Sequence, residues 1–145
     1  MIEIKIPGFR DLQLNHIVSD YNGTLAVDGI LLPGVREALT ALTPDIHVHV
    51  ITADTFGLAA GQLDGLSVEL HITPVEHQAE AKLEFISGLC ADSVVAIGNG
   101  RNDRKMLSAA AIGIALIQKE GASAQTLASA DIISLDILDA LDLLC

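Results

Sequence analysis

The 145-residue sequence predicts an α/β fold in three layers, α/β/α, with one parallel sheet covered by helices on both faces. Three observations carry that reading. Short apolar runs at 14–19, 46–51, 66–72, 94–97, 112–117 and 131–134 alternate with helical patterns near 34–43, 55–64, 75–90, 102–111, 122–129 and 135–144. The first run ends in a carboxylate, Asp20, with a Gly23-Thr24 turn close behind it. The run at 94–97 ends in the loop Gly98-Asn99-Gly100-Arg101-Asn102-Asp103. In an open parallel sheet, ligands bind in the crevice outside the carboxyl ends of the strands, where these residues would lie.

Taken in order, Met1 to Ile6 alternates like a strand that extends the sheet or reaches a neighbour. His16 to Ser19 leads to Asp20, a candidate nucleophile or metal ligand. Between Asn22 and Pro33, Asp28-Gly29 marks a hairpin turn. Pro33 opens a helix through Gly34-Val35-Arg36-Glu37. The run from His47 to Ile51 ends at Thr52, whose hydroxyl suits a phosphoryl oxygen. Pro74 starts the next helix, and within it Lys82 brings a cation within reach of the crevice, a place that Arg104 or Lys105 could also fill. Ser93 opens the following strand. Asn102 is expected to cap the helix after the loop, with Asp103 in its first turn, and Arg101 to face the loop as an anion contact.

Composition narrows the function. The length suits one domain, residues 1–145, around one core. Half the residues are hydrophobic and mean hydropathy is +0.48, yet no run approaches the roughly 18 apolar residues of a membrane span. The N-terminus lacks the apolar core of a secretion signal, so a cytoplasmic location without membrane contact is expected. A net charge of −11 leaves little to neutralise phosphates, which argues against nucleic acid. Three Phe and one Tyr make no stacking platform for bases. Cys90 and Cys145 fit no metal spacing and are expected as buried, reduced thiols. His47 and His49 share one strand face but lack a third ligand in sequence, which favours packing beside helices; His16, His71 and His77 show no partner.

The order Asp-x-x-Gly-Thr (Asp20 to Thr24), strand-Thr (Thr52), Lys (Lys82) and Gly-x-Gly-x-Asn-Asp (Gly98 to Asp103) resembles the haloacid dehalogenase (HAD) superfamily of phosphotransferases and phosphatases. The segments Ile51 to Gly57 and Ala96 to Gly100 look most like its small soluble P-type ATPase-like members. The resemblance implies a HAD-like Rossmannoid sheet with a small β-hairpin flap. It implies that Asp20 takes up the phosphoryl group, that Asn22 occupies the acid/base position, and that Thr52, Lys82 and Gly23 bind phosphate. Mg²⁺ would sit among Asp20, the carbonyl of Asn22, Asn99 and Asp103, and the substrate would be small and phosphorylated. Only residues 54–81 separate Thr52 from Lys82, so no cap domain fits; a neighbour in a homo-oligomer is expected to cover the site.

The sequence departs from the family pattern twice. Family phosphatases usually carry aspartate where Asn22 and Asn99 stand. An amide shuttles no proton, and it is a weaker Mg²⁺ ligand because it brings no charge. Ion-pump domains also lack the acid and still form an aspartyl phosphate, so the comparison implies slow transfer, with a regulatory phosphate-binding protein as the alternative.

Overall fold

The computed structural model describes residues 1–145. The chain opens with an antiparallel hairpin, β1 (Ile2–Lys5) and β2 (Asp11–Leu14), in which Ile2 pairs with Leu14 and Lys5 with Asp11. The first strand therefore forms its own two-stranded sheet instead of extending the central one. After β2 come β3 (His16–Ser19), the flap strands β4 (Ala26–Val27) and β5 (Ile30–Leu31), α1 (Val35–Leu42), β6 (His47–Thr52) and α2 (Ala59–Leu63). Then follow β7 (Val68–Ile72), α3 (Gln78–Gly88), β8 (Val94–Gly98), α4 (Arg104–Ala109), β9 (Ile112–Leu116), α5 (Ala124–Ser129), β10 (Ile132–Ser134) and α6 (Ile137–Asp142).

The central sheet has six strands in the order β10-β9-β8-β3-β6-β7, with every neighbouring pair parallel. Its central strands are buried on both sides: all five residues of β8 and all five of β9 are buried, which is why they read as unbroken apolar runs. One face packs Ile17, Val48, Val50, Val95 and Ile97 into a cluster of 24 buried residues with Leu39 of α1, Leu63 of α2 and Leu141 of α6. The other face packs Val18, Ile51 and Ala96 with Ile86 of α3 and Met106 and Leu107 of α4. The chain runs outward from β3 through β6 to β7, then returns to β8 on the other side of β3. That reversal opens a crevice between the ends of β3 and β8.

Several helices are shorter than the sequence pattern suggests, and turn geometry explains it. Asp54 and Gly57 both have positive φ, 51° and 69°, so α2 cannot begin near residue 55; the Asp54 carboxylate instead accepts the N–H of Ala59 at 3.2 Å. His77, at φ 59°, delays α3 to Gln78. A 3-10 turn, Arg101–Asp103, precedes α4. The flap hairpin turns on Asp28 and Gly29, with φ of 50° and 84°, the double left-handed geometry for which Asp-Gly is suited. Cys90 and Cys145 are exposed free thiols rather than buried ones, because Cys90 has left the helix at φ 70° and Cys145 ends the chain.

Gly113 in β9 faces the backbone of α4, where an added Cβ would overlap the Leu107 carbonyl. Backbone atoms cannot rotate aside. Gly113→Ala is therefore expected to cost about 1–3 kcal/mol; an unchanged urea midpoint would show that α4 yields freely.

Candidate active site

The crevice collects the sequence-predicted residues from four separate strand and helix positions. Asp20 follows β3, and its N–H continues the pairing to β8 by donating to the Ile97 carbonyl at 2.9 Å. Thr52 ends β6, Lys82 lies on α3, and Asn99 follows β8. A cavity of about 250 Å³ is lined by Asp20, Asn22, Thr52, Asn99, Asn102 and Glu120, among others.

Lys82 is fully buried and donates three bonds: to Asp103 Oδ1 at 2.6 Å, to Asp20 Oδ1 at 3.1 Å and to Asn102 Oδ1 at 3.2 Å. It sits on the inward stripe of α3 with Ala79 and Ile86. The other cations considered for this place point elsewhere. Lys105 pairs with Glu80 at 2.8 Å, and Arg104 donates to the Arg101 carbonyl at 2.8 Å. Arg101 itself is exposed and does not line the Asp20 cavity, so the expected anion contact is not made.

Asp103 is fully buried behind the cavity, and its oxygens are largely engaged. Oδ2 accepts the N–H groups of Asn99 and Gly100, both at 3.1 Å, while Oδ1 accepts Lys82. Through these bonds it holds Lys82 and folds the Asn99 loop. Gly98 is required beneath it, since a Cβ there would overlap the Asp103 carboxyl. Asn102 does not cap α4 through its side chain; it receives Lys82 and donates to Gln78 Oε1 at 3.0 Å.

Two carboxylates facing one ammonium leave an excess negative charge at the site. Burial, reinforced by Asp103 and opposed by Lys82, pushes the Asp20 carboxyl up to about 7. For Lys82, burial works against the charged form but is outweighed by Asp20 and Asp103, so its pKa is raised. A divalent cation beside Asp20 would balance the excess. The open donors are oxygens: Asp20 Oδ2, met only by the Thr24 hydroxyl at 3.4 Å, and Asn99 Oδ1, whose Nδ2 is tied to the Gly121 carbonyl at 3.1 Å. Hard oxygen donors suit Mg²⁺.

The Thr52 hydroxyl accepts the N–H of Asp54 at 3.0 Å, which leaves its proton free to donate into the cavity. The Asn22 amide oxygen accepts the N–H of Gly29 at 2.8 Å, tying the loop after Asp20 to the flap. Gly23, at φ 82°, lies so close to Asn99 and Glu120 that a Cβ would sit 2.6 Å from each. Two contributors escaped the sequence reading. Gln118 donates to the carbonyls of Gly23 and Thr24 at 3.2 and 3.0 Å and accepts Ile137 N–H at 2.8 Å, clamping the loop after Asp20 to α6. Glu120 brings a further carboxylate to the cavity beside Asn99. Nothing in the residues 117–121 marks either one locally.

Residues 77–137 match the family described as haloacid dehalogenase-like hydrolase. An uncharacterized protein of Methanocaldococcus jannaschii is 46% identical over 68 residues, which cover 44% of this chain and 73% of that protein. Among solved structures, a 3-deoxy-D-manno-octulosonate 8-phosphate phosphatase from Moraxella catarrhalis, in complex with magnesium, phosphate and its sugar, superposes with a TM-score of 0.70 at 18% identity. The match covers 90% of this chain and 85% of that one. A zinc-transporting PIB-type ATPase matches with a TM-score of 0.65 at 24% identity, over 79% of this chain and 18% of the pump. No helix is long and apolar enough to cross a membrane.

Proposed function

This chain belongs to the haloacid dehalogenase superfamily of hydrolases, and on that footing we propose that it is a Mg²⁺-dependent phosphohydrolase working through an aspartyl phosphate at Asp20. The single observation that carries the reading is the buried Lys82 bridging Asp20 and Asp103 at the mouth of the β3–β8 crevice. Lys82 fixes the Asp20 carboxylate through Oδ1, and one of its two oxygens is the attacking atom while the other faces the cation. The attacking oxygen forms a bond to phosphorus as the bond to the leaving alkoxide breaks, and water later cleaves the aspartyl phosphate. The Thr52 hydroxyl meets a phosphoryl oxygen and the Lys82 ammonium, held against Asp20, adds its positive charge behind it, and such electrostatic positioning dominates this chemistry. Asp20, the Asn22 carbonyl, Asn99 and Glu120 would hold Mg²⁺, which when bound supplies the charge that neutralises the phosphoryl group.

The substrate class follows from the size and openness of the cavity: a small phosphorylated metabolite, the sugar phosphate named for the Moraxella enzyme being one kind. The pump likeness supports the aspartyl phosphate; ATP use has no nucleotide-binding portion of this chain to rest on. A homo-oligomer that shields the uncapped cavity, in a cytoplasmic setting, completes the reading. Beryllium fluoride with Mg²⁺ should protect a peptide containing Asp20 from modification, and a panel of sugar phosphates should show turnover. Failure of both would leave a phosphate-binding protein as the better account.

Asn22 sets the rate. Its side chain already points to the flap, and aspartate there would keep the bond from Gly29 N–H while supplying a proton to the leaving group. General acid–base catalysis typically contributes about 10²–10⁴-fold. Asn22→Asp should therefore speed hydrolysis of an aryl phosphate at least about tenfold, a conservative fraction of that range. Equal rates in the variant and the parent at saturating Mg²⁺ would show that a missing proton donor is not the limitation.

A further inference from the structure

The α3-side face of the sheet carries a second cluster of donors, away from the cavity. In register, His49 of β6 lies beside Glu69 of β7, and Ile51 beside His71, so His49, Glu69 and His71 project from one face. His49 Nδ1 is 3.1 Å from Glu69 Oε2, and His71 Nε2 is 3.5 Å from the same oxygen. All three atoms lie within 4.8 Å of one another. Apart from these contacts to Glu69 neither nitrogen has a polar partner, although both are buried and His49 is only 5% exposed. From these positions we propose that His49, Glu69 and His71 bind a transition-metal cation of the Zn²⁺ class, separately from the phosphate site.

Geometry and donor chemistry agree. Ligand atoms at 2.0–2.1 Å from a tetrahedral ion stand about 3.3 Å apart, and the two carboxylate–imidazole separations, 3.1 and 3.5 Å, bracket that value. Two imidazoles and a carboxylate form a set that suits Zn²⁺ and leaves one position for water. His49 Nε2 is 3.1 Å from His16 Nδ1. When His49 donates there, its Nδ1 lone pair is turned to Glu69, the outer-shell support that metal-bound histidines usually have. Phe85 of α3 walls the cluster, its ring centroid 4.3 Å from His71 and 5.3 Å from His49. Glu69, with a 69% exposed side chain on the edge strand, leaves an entrance from solvent, and the chain's net charge of −11 favours cations. Of the sequence pair His47 and His49 only His49 takes part, and the neighbouring strand supplies the other two ligands, Glu69 and His71.

The test is Zn²⁺ titration of the full chain by calorimetry in excess Mg²⁺, with Co²⁺ absorption as the geometric probe. One equivalent per chain and the intense visible bands of four-coordinate Co²⁺ are expected. Glu69→Gln and His71→Gln change partly exposed residues of an edge strand and keep the fold; each should weaken Zn²⁺ binding at least about tenfold, and His16→Asn about 10–100-fold as an outer-shell change. Asp20→Asn should leave the Zn²⁺ affinity unaltered. Affinity unmoved by both ligand variants, or lost in Asp20→Asn, would overturn the proposal. Absence of binding below about 1 mM, with imidazole ¹⁵N shifts showing a proton held between His49 and Glu69, would overturn it in favour of a simple ion pair.

Discussion

Asp20→Asn is expected to lower phosphoryl transfer at least about 10⁴-fold, as loss of a nucleophile does, while the melting temperature holds or rises. The amide keeps the shape of the carboxyl, and its oxygen can still receive Lys82 at the present 3.1 Å. What it cannot do is form the acyl phosphate. The stability side follows from charge. Burial and the neighbouring Asp103 push the Asp20 carboxyl up to about 7, so the folded protein spends stability to keep it ionised above that pH. A group whose pKa rises on folding destabilises the native state at high pH, and removing its charge relieves that cost. Retained turnover in a single-turnover assay would end the nucleophile assignment.

The second large effect concerns Lys82. Lys82→Met fills a similar volume but leaves Asp20 and Asp103 facing each other with no cation between them. Breaking a buried ion pair by removing one partner costs about 3–5 kcal/mol, and Lys82 and Asp103 are both wholly buried. The variant is expected to unfold at markedly lower urea in EDTA, with part of the loss recovered in Mg²⁺ as the ion takes over the charge balance at Asp20. Turnover should fall with it, since the phosphoryl oxygens lose their fixed cation. Unchanged stability in EDTA would mean that the carboxylates escape ionisation without Lys82, and the bridging account would fail.

The layered architecture was legible because its cause is local. Strands buried on both faces must be apolar throughout, and helices between them must carry one apolar stripe, so the alternation shows in the chain itself. The strand-end chemistry was legible for the same reason: Asp20, Thr52 and Asn99 each follow an apolar run directly. Lys82 was harder to read. A lysine on a helix ordinarily faces water, and only its spacing from Ala79 and Ile86, on the inward stripe of α3, marks it as different. Glu120 and Gln118 had no such mark, because their importance comes from the return of the β9 loop to Gly23.

By itself the sequence determined the strand and helix alternation, the positive-φ turn at Asp28-Gly29 and the polar residues that end each buried strand, all consequences of short-range sterics and of burial. Tertiary structure decided who meets whom. Asp103 turned inward to Lys82 and the loop amides because the Gly98 surface admits its carboxyl there and the ammonium arrives from α3. His49, Glu69 and His71 became neighbours because β6 and β7 pair in a particular register, and His16 joined them because β3 lies next to β6. Sheet order and register are set by packing over the whole molecule, which no local window of residues contains.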